Sequence, residues 1–465
     1  MGIIKEIKEI TSMTVNEDQF NKIKYWHALY QGYVDDGNYI YEYKTLEKKQ
    51  KRRLLTLNMP KFLCEKLATI VFNEKVKINI DNEKAQDYID EVLKDNNFYS
   101  MMQSNYERSL ALGGMVIKPY FKKNKIKLTF VSANSFFPTK HENGKIKAGV
   151  FVNKIKKGKL YLTHLESHYW EEETYVIKNE MYMSENKEML GVKIPVKNYL
   201  DVEEIAYFNG LKSNIMFVYI KNSKANNFDE SSPLGISIYA NAIDTIETID
   251  RMFDSLNREF KLGKKRIFLS SSMVKSVPDG NGNMIRYFDA EDETYEVLNN
   301  YNDDEKITES KIELRVDEHI KAINIMLSVL AVQIGFSAGT FTFDGSSLKT
   351  ATEVVSEKSE TFKTKQSNEV VLNDALKDLV YLIDYLSQAY NLKNMGEYEV
   401  AIKFDDSIAE DKKSEIARIQ SLVISGLIPK YKAISEIHGI SEDEAKSWIV
   451  EMKRENEFVD DVPYE

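Results

Sequence analysis

The spacing of apolar positions divides the chain into stretches of helix and strand. Up to about residue 73, apolar residues recur every three or four positions, which is typical of helices with one buried face. Two such helices are predicted. One carries Trp26, and the other, "LNMPKFLCEKLATIVFNE", has Pro60 in its first turn, where proline is tolerated. We expect the buried stripe of the second helix to run from Phe62 to Val71.

From about residue 75 to residue 222, apolar and polar residues alternate instead. "KVKINI" alternates strictly, and "MVIKPYFKKNKIKLTFVSANSFFPTK" resembles two strands around a turn. This pattern predicts an antiparallel sheet with one solvated face, with turns at Lys157-Gly158 and Asn179-Glu180. A helix, "FYSMMQSNYERSLALGG", precedes most of these strands and is expected to end at Gly113.

Helical spacing returns after Ser231. A helix of about 30 residues, ~45 Å long, is predicted to begin at Ser232-Pro233 and to end at Leu262. Short strands around the turn cluster "PDGNGN" follow, and a second amphipathic helix then ends at Gly335. Two helices that flank a small β insertion would project it from the body. Their narrow apolar stripes would remain half exposed unless copies of the chain pack together in a ring.

A third long helix follows the next loop. Its start is marked by a capping box from Thr350 to Glu353, and it runs to about Tyr390, ~60 Å in all. Its first half is unusually polar, because Phe362 is the only large apolar residue from 356 to 369. Our hypothesis is that this half does not enter a monomer's core but spans solvent or meets another polar surface.

The C-terminal region is predicted to hold three short helices. Breaks fall at Gly426–Pro429 and at Gly439, and Ser441 opens the last helix. The tail "EFVDDVPYE" is acidic, and we expect it to be disordered.

Composition narrows the functional classes. With 43% hydrophobic and 29% charged residues, the 465-residue chain has the balance of a globular protein. Its formal charge of −10 argues against a nucleic-acid clamp with a basic surface, but does not exclude a protein past which DNA slides without sticking. A single cysteine, Cys64, excludes an internal disulfide or a multi-cysteine zinc site. No apolar run reaches the ~18 residues of a membrane span, and no signal peptide is evident.

The candidate chemistry is sparse. The loop after Gly339 has glycines and then Lys-Thr, like a phosphate-binding loop, but three residues separate Gly345 from Lys349 and no apolar strand feeds it. His164 and His168 share a strand face but lie too far apart for a metal pair, and the acidic run "DAEDETYE" lacks calcium-loop spacing. No catalytic triad or dinucleotide motif is present. We therefore expect no enzyme activity, no cofactor and no metal.

Four stretches together resemble the portal proteins of tailed bacteriophages, in particular those of long-tailed phages of Gram-positive hosts. They are "WHALYQG", "LTLNMPKFLCEKLATIVFNE", "AVQIGFSAGTFTFDGSSLKTATEV" and "FDDSIAEDKKSEIARIQSLVISGLI". The most specific of them is the third, and the resemblance covers the chain from about Lys22 to Glu455.

The resemblance implies an α+β class, the phage portal fold. Its parts would be a β-rich wing, two stem helices, a small α/β clip insertion, a long wing helix and a helical crown. The implied ranges are 1–230 for the N-terminal helices and wing, 231–262 for the first stem helix, 263–313 for the clip, 314–336 for the second stem helix, 337–350 for the tunnel loop, 351–395 for the long wing helix, and 396–465 for the crown and acidic tail.

The same resemblance implies a function. Copies of the chain, twelve in the virion, would form a ring at one capsid vertex, through which double-stranded DNA is packaged and ejected without regard to sequence. The ring would be made in the host cytoplasm, would involve no membrane, and would dock the large terminase subunit and later the head–tail adaptor. The major capsid and scaffolding proteins would be further partners.

Two sets of residues are implied as contact sites. The tunnel loop near DNA would include Thr340, Thr342, Asp344, Gly345, Ser346, Ser347 and Lys349. At the clip, which meets the motor, the adaptor or DNA, the candidates are Lys264, Lys265 and Arg266, although cations that follow a helix end are also explained by its dipole. Phe341 and Phe343 are expected to pack against the neighbouring loop, since duplex DNA hides its base faces.

Two alternatives from other classes remain open. One is an enzyme with a nucleotide site in the loop Gly339–Thr350. The other is a scaffold protein that uses its long helices as a coiled coil, although the stripe from Tyr239 to Phe260 drifts from strict heptads.

Overall fold

The computed structural model describes residues 6, 17–32, 39–44, 48–73, 75–211, 215–263, 266–268, 275–278, 284–287, 308–310, 313–342, 351–404, 412–438 and 440–459. The helices are α1 (Glu17–Tyr30), α2 (Met59–Val71), α3 (Glu83–Asp95), α4 (Phe98–Leu112), α5 (Ile243–Leu262), α6 (Val316–Ile334), α7 (Ala351–Ala389), α8 (Lys412–Ile424), α9 (Lys430–His438) and α10 (Glu442–Val459).

The strands are short except in the middle of the largest sheet. They are β1 (Ile40–Lys44), β2 (Lys49–Arg53), β3 (Lys77–Ile80), β4 (Met115–Lys122), β5 (Lys125–Ser132), β6 (Phe136–Glu142), β7 (Lys145–Lys157), β8 (Leu160–Glu171), β9 (Thr174–Ser184), β10 (Val192–Ile194), β11 (Ile205–Phe208), β12 (Val218–Ile220), β13 (Arg266–Phe268), β14 (Lys275–Pro278), β15 (Met284–Tyr287), β16 (Thr308–Ser310) and β17 (Val400–Lys403). Together these elements confirm the mixed helix and sheet class.

The alternating region forms an antiparallel sheet, as predicted. Strands β6 to β10 follow one another across it, and β11 also pairs with β9. A second sheet has the order β12-β4-β5. The turn at Gly158 is confirmed, but the turn expected at Asn179-Glu180 is wrong, because both residues lie inside β9. The Asn179 amide bonds His164 and the Glu203 carbonyl there, and the chain reverses at Glu172 instead.

The first long helix is shorter than expected from the range 231–262. Helix α5 begins only at Ile243, and the preceding segment crosses the core in an irregular conformation with Ile236 and Tyr239 buried. Two of its backbone groups bond to other parts of the chain: Ile238 N donates to the Leu110 carbonyl (3.0 Å), and the Asn222 amide donates to the Ile236 carbonyl (2.6 Å). Together with turn bonds such as Ala240 N to the Ser237 carbonyl, they replace bonds that a helix would have made.

Three other expectations need correction. Phe62 is 47% exposed rather than buried in the α2 stripe. The hairpin β1–β2 lies where no strand was predicted. Within the range 396–465, predicted as helical, β17 instead pairs antiparallel with β3, with Val400 and Ile402 partly buried on one face. The three short helices α8 to α10 do follow it, and Glu444 N donates to the Ser441 hydroxyl as that helix start requires (3.2 Å).

The core determines how α5 and α6 are held. Ile246 and Ile249 near the start of α5, and Leu330 and Ile334 near the end of α6, belong to the main apolar cluster. The far ends are more open: Phe260 is 50% exposed. The two helices are antiparallel neighbours. The start of α5 and the end of α6 pack into the core, and their other ends, where Arg315 bonds Glu259, project from it.

Candidate functional site: the helix pair and the base of the loop

Helix α6 ends in a turn that only glycine fits well. Gly335 has φ +89°, and the N–H of Phe336 donates to the Ala331 carbonyl (2.8 Å). A Cβ at position 335 would lie 2.5 Å from the Thr364 hydroxyl of α7. The glycine therefore lets the chain reverse directly against the long helix. The prediction that this helix ends at Gly335 is confirmed.

The polar half of α7 fastens this turn. The Ser337 N–H donates to the Thr361 hydroxyl (3.0 Å), and the Thr364 hydroxyl donates to the Gly335 carbonyl (2.5 Å). Both threonines are one helical turn apart, so they face the same way. The polar face thus supplies partners for backbone groups that the turn leaves unpaired.

The same face is buried further along, so the hypothesis that it stays out of a monomer's core is wrong. The Asn368 amide oxygen accepts from the Tyr106 hydroxyl (3.4 Å) and from Ser223 N (3.2 Å). Lys365 is fully buried, and its ammonium lies 2.6 Å from the Glu369 carboxylate. Burial of these groups is tolerated because each meets a polar partner. This agrees with the other part of the hypothesis, that this half of the helix meets another polar surface.

Aromatic rings hold the loop's first residues. Phe341 is 8% exposed and packs on Phe336 (5.1 Å between ring centroids) and edge-on against Phe62 of α2 (5.6 Å). Phe341 therefore packs against Phe336 and Phe62 of its own chain, and its packing against a neighbouring loop stays a prediction. Phe343 lies outside the described residues.

The predicted loop residues are only partly described. Thr340 and Thr342 lie at its base, where their hydroxyls donate to the carbonyls of Ser337 (2.6 Å) and Gly339 (3.0 Å). The remaining members of the set lie outside the described residues, and so does Thr350 of the capping box; these members are Asp344, Gly345, Ser346, Ser347 and Lys349.

The clip candidates are also only partly described. Lys264 and Lys265 lie outside the described residues. Arg266 begins β13, which pairs antiparallel with β16 so that Arg266 is opposite Ser310. The pairing ties the two ends of the segment between α5 and α6 together.

Helix α6 has a second apolar face. Its buried face includes Leu327 and Leu330, whereas Ile325, Val329 and Val332 are 65%, 41% and 62% exposed. The exposed three are spaced by four and three residues, so they form one stripe along the helix. We call Ile325, Val329 and Val332 the open stripe. The half-exposed edge predicted for this helix pair is therefore present in the single chain.

The two strand histidines belong to a buried network. His164 bonds Asn179 (2.9 Å), and His168 bonds Tyr175 (3.0 Å) and Glu166 (2.8 Å), which also pairs with Lys118 of β4. Burial lowers the pKa of His168. Burial opposes ionisation of Glu166, but Lys118 and His168 outweigh it and hold its pKa well below the usual range. Within the described residues, no three potential metal ligands come together.

Sequence reasoning missed a pair of carboxylates on α5. Asp254 accepts two bonds from the Arg52 guanidinium (2.6 and 2.5 Å), and Asp250 accepts from Leu57 N (2.8 Å) and the Tyr39 hydroxyl (3.4 Å). Burial raises the pKa of Asp250 to about 6. The signal in the sequence that could have identified this pair is the spacing of Asp250 and Asp254, which lie four residues apart beside the apolar stripe of α5.

The described helices include none with the length and apolar character needed to cross a bilayer. A family model described as "Phage portal protein, SPP1 Gp6-like" matches residues 8–457. No curated protein sequence matches the chain. Among solved structures, one similar chain comes from the neck of an empty GTA particle computed with C6 symmetry. The two are 12% identical, the match covers 79% of this chain and 90% of that one, and the TM-score is 0.42.

Proposed function

Because the chain belongs to the SPP1 Gp6-like family of phage portal proteins, we propose that its copies close into a ring at one capsid vertex, through which double-stranded DNA is packaged and later ejected. Membership makes the protein a virion component of a tailed phage and part of its head–tail connector. The proposal adds two points to this: that DNA passes through the ring, and that the ring lies at a capsid vertex.

The open stripe is the observation that carries ring formation. Full burial of a valine or isoleucine side chain contributes roughly 1.5–3 kcal/mol, and the three side chains in the row on α6, which are 41–65% exposed, would each contribute part of that. A neighbouring copy that covers the row removes this apolar surface from water. When a different patch of the next copy covers the row, the contact is head-to-tail, and such a contact can repeat around a closed ring.

The loop between α6 and α7 is proposed to face the DNA. Its base is fixed by the bonds of Ser337 and Thr340 and by the packing of Phe341. Small residues in the remainder, and the single cation Lys349, suit brief contacts with phosphates that do not depend on sequence. The formal charge of −10 keeps non-specific adhesion low.

The partners follow from the same proposal. We place the terminase motor, and afterwards the head–tail adaptor, on the segment between α5 and α6 that includes Lys264, Lys265 and Arg266. The major capsid and scaffolding proteins would surround the ring, which we expect to contain twelve copies in the virion. The energy for packaging would come from the terminase ATPase.

Electron microscopy of the purified protein tests the assembly directly. We expect rings with a central hole and a countable symmetry at high protein concentration. A field of monomers under those conditions would contradict the proposal. The nucleotide-site alternative would gain support if the same preparation turned over ATP and Lys349→Ala abolished that turnover.

A change confined to the loop should separate assembly from DNA passage. Gly345→Pro is expected to leave rings intact and to reduce packaged DNA, because proline restricts a loop that must yield to a moving polymer. Packaging is measured as nuclease-protected DNA in a reconstituted reaction, with Gly345→Ser as the matched control. Loss of rings in the proline variant would refute the assignment of this loop.

A further inference from the structure

The hairpin β1–β2 is a basic patch on an acidic protein. Residues 40–53 contain six Lys or Arg and two Glu, a local charge of +4 that leaves −14 for the rest of the chain. The six cations are Lys44, Lys48, Lys49, Lys51, Arg52 and Arg53. Such a concentration of one sign has no role in the ring contact or the loop described above.

One face of the hairpin is attached to α5. The Arg52 guanidinium forms two bonds with Asp254, which also accepts from Leu55 N (3.1 Å). The ring of Tyr41 lies near two guanidiniums, those of Arg52 (5.1 Å) and of Arg258 on α5 (5.2 Å). Because the Asp254 carboxylate is 5% exposed and bidentate pairs fix geometry, the hairpin is held in one orientation on the helix.

The other face is a row of cations. Residues directly opposite in an antiparallel pair share a face, and the pairs on this one are Ile40 with Arg53, Glu42 with Lys51, and Lys44 with Lys49. The face therefore carries four cations and one carboxylate. Its charged residues between the Ile40–Arg53 pair and the turn are all exposed, namely Glu42, Lys44, Lys49 and Lys51.

Lys44 and Lys49 make this face unusual. Like charges directly opposite each other in a hairpin are destabilising. Glu42 pairs with Lys51, and no carboxylate in the described part of the chain lies within ion-pair distance of Lys44 or Lys49. An external anion that bridges the two lysines would remove their repulsion.

We propose that this face binds the phosphate backbone of double-stranded nucleic acid, outside the ring's channel. Alternate residues on a strand are about 6.8 Å apart, so Lys49 and Lys51 are evenly spaced along this face, and Arg53, whose guanidinium donates to the Gly32 carbonyl, lies at its inner end. A two-stranded ribbon is also narrow enough to approach a major groove. The contact would be independent of sequence, because lysines and arginines that meet phosphates carry no base readout.

The composition of the face favours phosphate over an acidic protein. The centres of protein interfaces are enriched in aromatic residues and methionine and are depleted in lysine. Here the only apolar member is Ile40, which is half-buried, and the rest are charged. The inference goes beyond the proposed function, since this contact requires neither a channel nor a threaded duplex.

A relaxed, covalently closed circular duplex is the probe that isolates the contact, because it cannot thread a closed ring. Binding by the full-length protein is measured by mobility shift at several salt concentrations. The test variant is Lys44→Ser/Lys49→Ser/Lys51→Ser. The control, Lys156→Ser/Lys157→Ser/Lys159→Ser, removes the same charge from exposed lysines at the β7–β8 turn.

The hairpin variant is expected to bind at least about tenfold more weakly and to lower the slope of log affinity against log salt by about three, whereas the control stays within about twofold of the unmodified protein. The proposal is overturned if the unmodified protein does not bind the circle, or if both variants lose affinity equally. It is also overturned if polyglutamate, but not the circle, distinguishes the hairpin variant from the control, since the partner is then an acidic protein. Electron microscopy of each variant keeps the result separate from ring formation.

Discussion

A chain that carries Val329→Asp and Val332→Asp is expected to remain a folded monomer under conditions where the unmodified chain forms rings. Both positions are exposed in the single chain, so the cost within the subunit comes mainly from two carboxylates near the C-terminal end of α6, about 0.3–1 kcal/mol each. In a ring, each contact would have to bury two carboxylates without partners, which costs several kcal/mol for each. Sedimentation velocity gives the assembled fraction, and electron microscopy gives the shape.

Two controls make this result specific. Val329→Ile/Val332→Ile keeps the open stripe apolar and should retain rings. Val192→Asp introduces a carboxylate at a valine that is 71% exposed on β10, and it should also retain them. Rings formed by the double aspartate variant would show that the open stripe does not lie between subunits.

Glu166→Gln is expected to lower the free energy of unfolding by about 3–5 kcal/mol at pH 7, because it leaves Lys118 in a mostly buried position without its charged partner. The pair joins β8 to β4, which belong to different sheets, so the loss weakens the contact between them. Urea unfolding followed by tryptophan fluorescence measures the change, and Trp170 on the same strand contributes to that signal.

The pH profile identifies the carboxylate. The pKa of Glu166 is lower in the folded state than its usual 4.5, so its contribution to stability is complete above that pH and is lost as the pH falls towards the folded value. His168 also has a lowered pKa, and its contribution decreases below about pH 6.5. The unmodified chain should therefore lose stability more steeply below pH 4.5 than the variant does.

The double variant Lys118→Met/Glu166→Gln provides the control. It removes the orphaned ammonium, and it should recover a large part of the stability that the single change loses. If the single and double variants were equally unstable, the loss would come from altered packing and not from an unpaired charge.

Sequence patterns located most of the regular elements, because regular elements are set by local spacing. The helix end at Gly335 was predicted because a left-handed residue there favours glycine. Alternation predicted the antiparallel sheet for a similar reason. The open stripe was also foreseen in outline, since two narrow helices cannot bury each other's edges completely.

The sequence-based predictions failed where the hydrogen-bond partners of a segment lie elsewhere in the chain. The apolar spacing before Ile243 indicates burial, but a buried irregular segment has the same composition as a buried helix when its backbone bonds go to Leu110 and Asn222. The polar half of α7 suggested solvent because nothing nearby in sequence shows that Thr361 and Thr364 meet a turn some 25 residues earlier. The hairpin β1–β2 lacks apolar alternation and is fixed by Asp254, about 200 residues away.

The fastening of the turn after α6 to α7 has a mechanical consequence. Thr342, the last described residue before the loop, sits on a turn bonded to α7, and α7 itself begins at Ala351 just beyond the loop. Both ends of the loop are therefore attached to the same helix, α7, which has 39 residues. A tilt of that helix against its neighbours would therefore displace both ends of the loop in a single motion.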